Sequence, residues 1–371
     1  MFMLQPLIVL GGVKVGLIER KTSIGTLYAS NKTGRMALEI NDEVISDQDE
    51  VIKILNDNRI PFKIEFEITE KCNFDCYYCF AKSLRNRKDL STEEMKKIID
   101  ELERIGIIFL DITGGEPMAR KDFLEILRYI NDKGFIVRLI TNGSWLNDEI
   151  IKELQRGHTE TIRLSLLAPT EEVCDKLTRV KGSFKKTIEA AKMLKESDLN
   201  FYISSVITRE NVKLYNEYDA LERELGMLIS YELDVGPTFT GYSDVKEYGL
   251  TKEDLEDIRQ FGKTRNYVNG SEKLCDAGRS KFCVDNQGNL LPCMKIRKEM
   301  GNLLTESFED IWEGEKLKKV ITKQLTRNPK CLKCEKHEHC PAFCPAMHDL
   351  YDDEKTRCRS ASIMHTLLTC R

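Results

Sequence analysis

Cys72-Asn73-Phe74-Asp75-Cys76-Tyr77-Tyr78-Cys79 is the stretch on which the reading of this chain turns. It directly follows Lys63–Thr69, a segment of strand composition, and gathers three thiols into one short loop. Three thiolates suit an iron–sulfur cluster, yet three cannot satisfy four irons. One iron is left open, which is what a catalytic metal centre needs. Zinc with a remote fourth ligand is the competing reading, but structural zinc spacings usually come as C-x-x-C pairs.

Outward from this loop, the pattern predicts regular alternation of strand and helix. The expected strands are Lys63–Thr69, Ile107–Thr113, Phe135–Thr141, Thr161–Leu167, Asn200–Ile207 and Leu228–Val235. Several are near-continuous apolar runs, such as Ile107-Ile108-Phe109-Leu110, as expected of parallel strands covered by helices. Ser91-Thr92-Glu93-Glu94 predicts a capping-box helix start, and Phe123, Ile126, Leu127 and Ile130 form one apolar helix face. Six strand–helix units predict an α/β fold, an open (β/α)6 partial barrel of the TIM type rather than a closed eight-fold one. A last helix is expected over about Thr251–Phe261.

Residues 1–60 read as a separate small β-rich segment. Val13–Arg20 and Thr26–Ser30 have strand composition, Asn31-Lys32-Thr33-Gly34 is a turn, and Asp47 caps a short helix through Leu55. Residues 61–265 are assigned to the barrel and 266–371 to an irregular cysteine-rich domain. Helical regularity is expected to stop at Cys275.

The 371 residues carry 57 basic against 61 acidic side chains, a formal charge of −4, which disfavours bulk affinity for nucleic acid or anionic membranes. Thirteen cysteines stand out. Met1–Leu10 is apolar, but no basic segment precedes it and Gly11, Gly12 and Lys14 interrupt it, so neither a signal peptide nor a membrane span is expected. The chain reads as cytoplasmic, where clustered cysteines hold metal more often than they form disulfides.

A second cysteine region opens with Cys275-Asp276-Ala277-Gly278 and continues through Cys283 and Gly288-Asn289-Leu290-Leu291-Pro292-Cys293. Then follow Cys331-x-x-Cys334, Cys340, Cys344, and finally Cys358 or Cys370. Eight thiolates can ligate two four-iron clusters, four each; one or two structural zinc ions is the plainer alternative. Cys174 reads as a small buried hydrophobe. His337, His339 and His348 read as solvated or supporting groups rather than ligands, and Lys82–Lys97 as a solvated face.

C-x-x-x-C-x-x-C after the first strand of an α/β pattern, with an aromatic before its last cysteine, resembles the radical S-adenosylmethionine (SAM) superfamily. Gly114-Gly115-Glu116-Pro117 resembles that family's GGEP segment, Thr141-Asn142-Gly143 its TNG segment, and Ser165 its SAM-contacting serine. The G-x-x-x-x-C and C-x-x-C-x(5)-C-x-x-x-C run resembles the SPASM domain, a C-terminal extension with auxiliary clusters. The resemblance implies that Cys72, Cys76 and Cys79 hold a SAM-binding 4Fe-4S cluster, with SAM contacted by Tyr78, Gly114, Gly115, Glu116, Pro117, Asn142 and Ser165. It implies a first auxiliary 4Fe-4S cluster on Cys275, Cys283, Cys293 and Cys344, and a second on Cys331, Cys334, Cys340 and Cys358, with Cys370 competing for the last place. Two departures stand out. The fourth strand continues Ser165-Leu166-Leu167-Ala168 where relatives often read Ser-Leu-Asp-Gly. Thr178 stands where an arginine often precedes the later Gly-Ser-Phe, with Arg179 one position on.

What the resemblance implies for function is reductive cleavage of SAM and hydrogen abstraction from a ribosomally made peptide, giving a thioether, carbon–carbon or ether cross-link or a related modification. The partners it implies are the precursor peptide and a flavodoxin or ferredoxin-type electron donor, with no nucleic acid and no membrane. Residues 1–60 would then be a reduced leader-binding module, or simply a segment packed on the barrel. The alternatives are a tetrapyrrole or haem-pathway enzyme, a sulfatase-maturing enzyme, and a non-enzymatic metal-dependent binding module. The sulfatase-maturing type carries an aspartate base after the G-x-x-x-x-C cysteine, where this chain has Met294.

Overall fold

The structure, a computed structural model, describes residues 16–79, 81, 87–232, 249–250, 254, 257 and 275–325. The chain begins with an antiparallel meander of β1 (Leu17–Lys21), β2 (Thr26–Ser30), β3 (Met36–Ile40) and β4 (Glu43–Ile45). Helix α1 (Gln48–Asp57) follows, with Asp47 accepting the Glu50 N–H at 2.9 Å as its N-cap. Only two of these four strands were expected; β3 and β4 are short, and the Asn41-Asp42 turn that joins them, both residues at positive φ, is a signal that sequence reasoning missed. The apolar face of the meander, including Leu27, Met36 and Leu38 with Val51 and Leu55 of α1, packs on Phe62, Ile108, Phe109 and Ile136. Those four stand at the starts of barrel strands, so the meander covers the N-terminal ends of the strands.

The barrel itself consists of β5 (Lys63–Glu67), α2 (Thr92–Arg104), β6 (Phe109–Thr113), α3 (Phe123–Asp132), β7 (Ile136–Thr141), α4 (Asp148–Arg156) and β8 (His158–Ser165). Helices α5 (Glu171–Thr178) and α6 (Ser183–Glu196), β9 (Phe201–Val206), α7 (Tyr215–Leu225) and β10 (Ile229–Glu232) complete it. All six strands expected from the sequence form, and they lie parallel and in chain order. The capping box at Ser91 and Glu94 is present, and the stripe Phe123, Ile126, Leu127 and Ile130 is buried. The expected helix over Thr251–Phe261 lies outside the described residues apart from Asp254 and Asp257.

Beyond residue 275 the chain is more regular than its composition implies. Strand β11 (Lys281–Val284) pairs in parallel with β5, and β12 (Asn289–Leu291) and β13 (Gly301–Asn302) extend the same sheet antiparallel. Helices α8 (Phe308–Trp312) and α9 (Glu315–Leu325) follow, correcting the expectation that helical regularity stops at Cys275. Their apolar stripe (Phe308, Ile311, Trp312, Leu317 and Ile321) joins the barrel core, and Phe308 and Trp312 stack at 5.1 Å. One sheet of nine strands therefore runs from the barrel into the cysteine-rich region.

Alternation along the strands sorts the barrel into two faces. Ile64, Phe66 and Ile68 face the helices and are fully buried, whereas Lys63, Glu65 and Glu67 alternate with them. The alternating residues form ion pairs across the strands: Lys63 with Asp111 at 2.7 Å, Lys281 with Glu65 at 3.2 Å, and Arg138 with Glu160. The apolar run Ile107-Ile108-Phe109-Leu110 is buried on both faces, as expected, whereas β5 is apolar on one face only. Among the described residues no helix is long and apolar enough to cross a membrane.

Candidate metal and cofactor site

Parallel order places the C-terminal ends of β5, β6, β7 and β8 side by side, so the segments following them become neighbours on one rim. The cysteine loop leaves β5 and is fastened from two sides. On one, the Asp75 and Tyr77 N–H groups donate to the carbonyls of Thr178 at 3.0 Å and Leu177 at 3.2 Å, two orphan acceptors in the last turn of α5. On the other, Gly115 N–H donates to Thr69 O at 2.8 Å and Glu116 N–H to Lys71 O at 2.7 Å. A Cβ at Gly114 or Gly115 would overlap the backbone carbonyls of Thr69 and Lys71, and Gly114 has φ +139°. In this structure, then, the paired glycines let the β6 segment close onto the cysteine loop.

Cys72, Cys76 and Cys79 are each half-buried. The Cys72 sulfur accepts the Phe74 N–H at 3.4 Å, and the Cys79 N–H donates to Cys76 O at 3.1 Å, which curls the loop locally. Phe74 is buried beneath it, Tyr77 Oη donates to Thr208 Oγ1 at 2.8 Å, and the Tyr78 ring meets Tyr77 edge-on at 5.2 Å. A donor set of three thiols without nitrogen or carboxylate fits an iron–sulfur cluster with one open iron. Among the described residues no three Cys, His, Asp or Glu side chains converge on a single metal ion.

Glu116 is the hub of the rim. Its carboxylate is 1% exposed and accepts from Thr141 Oγ1 at 2.7 Å, Asn142 N–H at 2.7 Å and Met118 N–H at 3.2 Å. Burial pushes its pKa up to about 7 against the pull of those three donors. Asn142 carries the connection onward: its amide donates to Asn73 Oδ1 at 3.0 Å, and Asn73 donates to Ser144 Oγ at 2.7 Å. The GGEP and TNG segments and the cysteine loop are thus one hydrogen-bonded unit. Pro117 opens a short 3-10 turn and is buried. Ser165 ends β8 half-buried on the same rim.

Thr178 has no exposure, and its hydroxyl meets Ser183 Oγ at 2.7 Å, so it acts as a local bracket in the α5–α6 corner. Arg179 ends α5 in the left-handed region, φ +57°, and reaches Asp75 of the cysteine loop at 3.4 Å while half-exposed. Cys174 is buried, as expected of a small hydrophobe. In the basic stretch, Lys96 pairs with Glu93 and Glu125 on an exposed helix surface.

The second cysteine set begins on β11, next to β5. Cys283 is fully buried and in register with Glu65 of β5 and Leu291 of β12. Gly288, with φ +82°, makes the turn between β11 and β12, which explains the glycine of the G-x-x-x-x-C pattern. Burial pushes the Cys283 thiol up, and the Cys293 thiol up to about 12, with Glu65 adding to both. Such thiols become ligands only when a metal charge displaces the proton. Cys275 is half-buried ahead of β11. Met294, where the sulfatase-maturing type has its base, donates its N–H to Glu65 Oε2 at 2.9 Å. Cys331, Cys334, Cys340, Cys344, Cys358 and Cys370, with His337, His339 and His348, lie outside the described residues.

Sequence reasoning missed Asn73 and the polar residues that alternate along β5. The signal was there, in Lys63-Ile64-Glu65-Phe66-Glu67-Ile68-Thr69, a period-2 pattern inside a strand expected to be covered on both sides.

Comparison with known proteins agrees with this geometry. The radical SAM superfamily profile matches residues 66–217, and that of the SPASM iron–sulfur cluster-binding domain matches residues 275–335. The AdoMet-dependent heme synthase of Methanosarcina barkeri is 27% identical over 76% of this chain and 90% of its own length. The PqqA peptide cyclase of Bradyrhizobium diazoefficiens is 30% identical over 63% of this chain and 67% of its own. Streptococcus suis SuiB, in a crystal structure with its precursor peptide SuiA, superposes with a TM-score of 0.64 at 16% identity, covering 91% of this chain and 96% of that one.

Proposed function

The chain belongs to the radical SAM superfamily and carries a SPASM domain, and from that premise we propose that it modifies a ribosomally made peptide. The reaction is hydrogen abstraction from a peptide residue, ending in a thioether, carbon–carbon or ether cross-link or a related change. The observation that carries this reading is the rim itself: a three-thiol loop bonded to the GGEP and TNG segments, on a strand paired with the one that bears Cys283 of the second cysteine set.

In this reading Cys72, Cys76 and Cys79 hold a 4Fe-4S cluster with one open iron. Tyr78, Gly114, Gly115, Glu116, Pro117, Asn142 and Ser165 form the SAM side of the rim, with Glu116 and Asn142 acting through the loop they hold. Cys275, Cys283, Cys293 and Cys344 take one auxiliary cluster, and Cys331, Cys334, Cys340 and Cys358 the other, three clusters in all. When bound, the reduced cluster and SAM supply a 5′-deoxyadenosyl radical. The protein orients that chemistry: the backbone clamps on Asp75 and Tyr77 keep the three thiols on one short arc, and the meander packed on the strand starts covers the opposite end of the barrel. The electron comes from a flavodoxin or ferredoxin-type donor.

The test is 5′-deoxyadenosine formation by anaerobically reconstituted, reduced protein. Replacing Cys72, Cys76 and Cys79 together by alanine removes about four irons per chain and all SAM cleavage; persistent cleavage refutes the site. A second reading, modification of a tetrapyrrole, is favoured by the heme synthase similarity, which spans 90% of that protein. A mass change on a candidate precursor peptide but not on a porphyrin supports the peptide reading, and the reverse result replaces it.

A further inference from the structure

We propose that Arg87 is a positioning residue that couples the two cysteine sets. This rests on the reading of both sets as cluster ligands. The Arg87 guanidinium donates through Nε to Glu70 Oε1 at 2.7 Å, and through Nη1 to Asp285 Oδ2 at 3.0 Å. Glu70 stands two residues before Cys72, and Asp285 two residues after Cys283. Both acids are almost fully buried, at 5% and 1% exposure, so one arginine bridges two desolvated carboxylates that would otherwise repel.

Each end of this bridge is built into its own segment. Asp285 Oδ1 accepts the N–H groups of Gln287 and Asn289, both at 3.0 Å, which shapes the β11–β12 turn between Cys283 and Cys293. Arg297, 3.9 Å from Asp285, pairs with both oxygens of Glu67 at 2.8 and 2.6 Å, tying the stretch after Cys293 back to β5. A second connection runs parallel. Asp89 accepts from Thr69 Oγ1 at 3.0 Å and pairs with Lys71 at 3.0 Å, while the Asn286 amide donates to Asp89 at 3.0 Å. The stretch from Arg87 to Leu90 therefore works as a strap from the first cysteine loop to the turn that carries the second set.

Two consequences follow. The strap sets the relative placement of the two sets, since a guanidinium fork fixes direction where an ammonium does not. Its positive charge also lies between acids adjacent to both, so its removal disfavours the added electron on either cluster and lowers both reduction potentials.

The experiment uses full-length, reconstituted protein and compares wild type with Arg87→Gln, Arg87→Lys, Asp285→Asn and the Arg87→Gln/Asp285→Asn double variant. Iron per chain, the potential of each cluster, and the SAM-induced change in the electron paramagnetic resonance spectrum are measured. Arg87→Gln keeps its iron, shifts both potentials downward and loses the SAM-induced spectral change, with at least a tenfold fall in 5′-deoxyadenosine. Asp285→Asn shifts the potentials upward, the double variant returns them toward wild type, and Arg87→Lys restores potentials but not the spectral change. Wild-type potentials and spectra in an iron-loaded Arg87→Gln overturn the proposal, as does a double variant whose potentials stay as low as those of Arg87→Gln alone. If Arg87→Gln does not fold, Arg87→Lys and Asp285→Asn decide by the same readings. Absence of iron from the wild type overturns instead the cluster reading beneath it.

Discussion

The two cysteine sets solve the same problem in opposite ways. Cys72, Cys76 and Cys79 sit half-buried on a loop whose shape comes from hydrogen bonds with α5, Asn142 and the segment after β6. Cys283 and Cys293 are placed by strands: one lies within β11, the other just past β12, and burial raises both thiols. A loop keeps three sulfurs close in the chain and half-exposed. A sheet fixes ligands rigidly but desolvates them. The difference teaches that the first set depends on its neighbours for geometry, and the second for charge compensation.

The largest expected effect comes from breaking the loop's main clamp. Gly114→Ala places a methyl against the Thr69 carbonyl at φ +139°, and strain plus overpacking together cost about 3–5 kcal/mol. Urea unfolding of the metal-free protein measures this, and a variant as stable as wild type would remove the clamp from the account.

Next comes Glu116, whose pKa in the folded chain is pushed from 4.5 to about 7. Between pH 4.5 and 7 the native state binds more protons than the unfolded one, so stability falls as pH rises through that window. The integrated loss is about 3 kcal/mol and levels off above pH 7. Glu116→Gln cannot ionise, and the slope in that window disappears; an unchanged difference between pH 5 and pH 7.5 midpoints would refute the assignment.

Smaller is the contrast between the sets themselves. Cys283→Ser buries a hydroxyl and costs the metal-free protein about 1–3 kcal/mol, whereas Cys76→Ser on the half-buried loop stays within about 0.5 kcal/mol. Equal losses would erase the distinction between loop and strand. Smallest is Asp75→Asn, which breaks the half-exposed pair with Arg179; such pairs contribute about 0.2–1 kcal/mol. Thermal unfolding at low and high salt checks it, since a salt-insensitive loss would indicate a buried role.

Legibility followed the range of the interaction. The six barrel strands, the capping box at Ser91 and the stripe on α3 were readable because strand and helix periods and caps are local. The cysteine loop and its companion motifs were readable as chemistry because their residue types are restrictive. Strands β3 and β4 and helix α8 were not, being short elements whose apolar residues acquire meaning only against Phe62, Ile108 or the barrel core, whereas α9 carried a helical period in Leu317, Val320 and Ile321 that was passed over.

By itself, then, the order of residues determined the alternating fold, the two thiol sets and the family they mark, since each depends on neighbours close in the chain. Only the folded molecule decided that Gly114 and Gly115 press on protein backbone, that Glu116 binds three protein donors, and that β11 lies against β5. Apart from the Met118 N–H on Glu116, those contacts join residues far apart in sequence, and burial and hydrogen-bond partners exist only once the strands have come together.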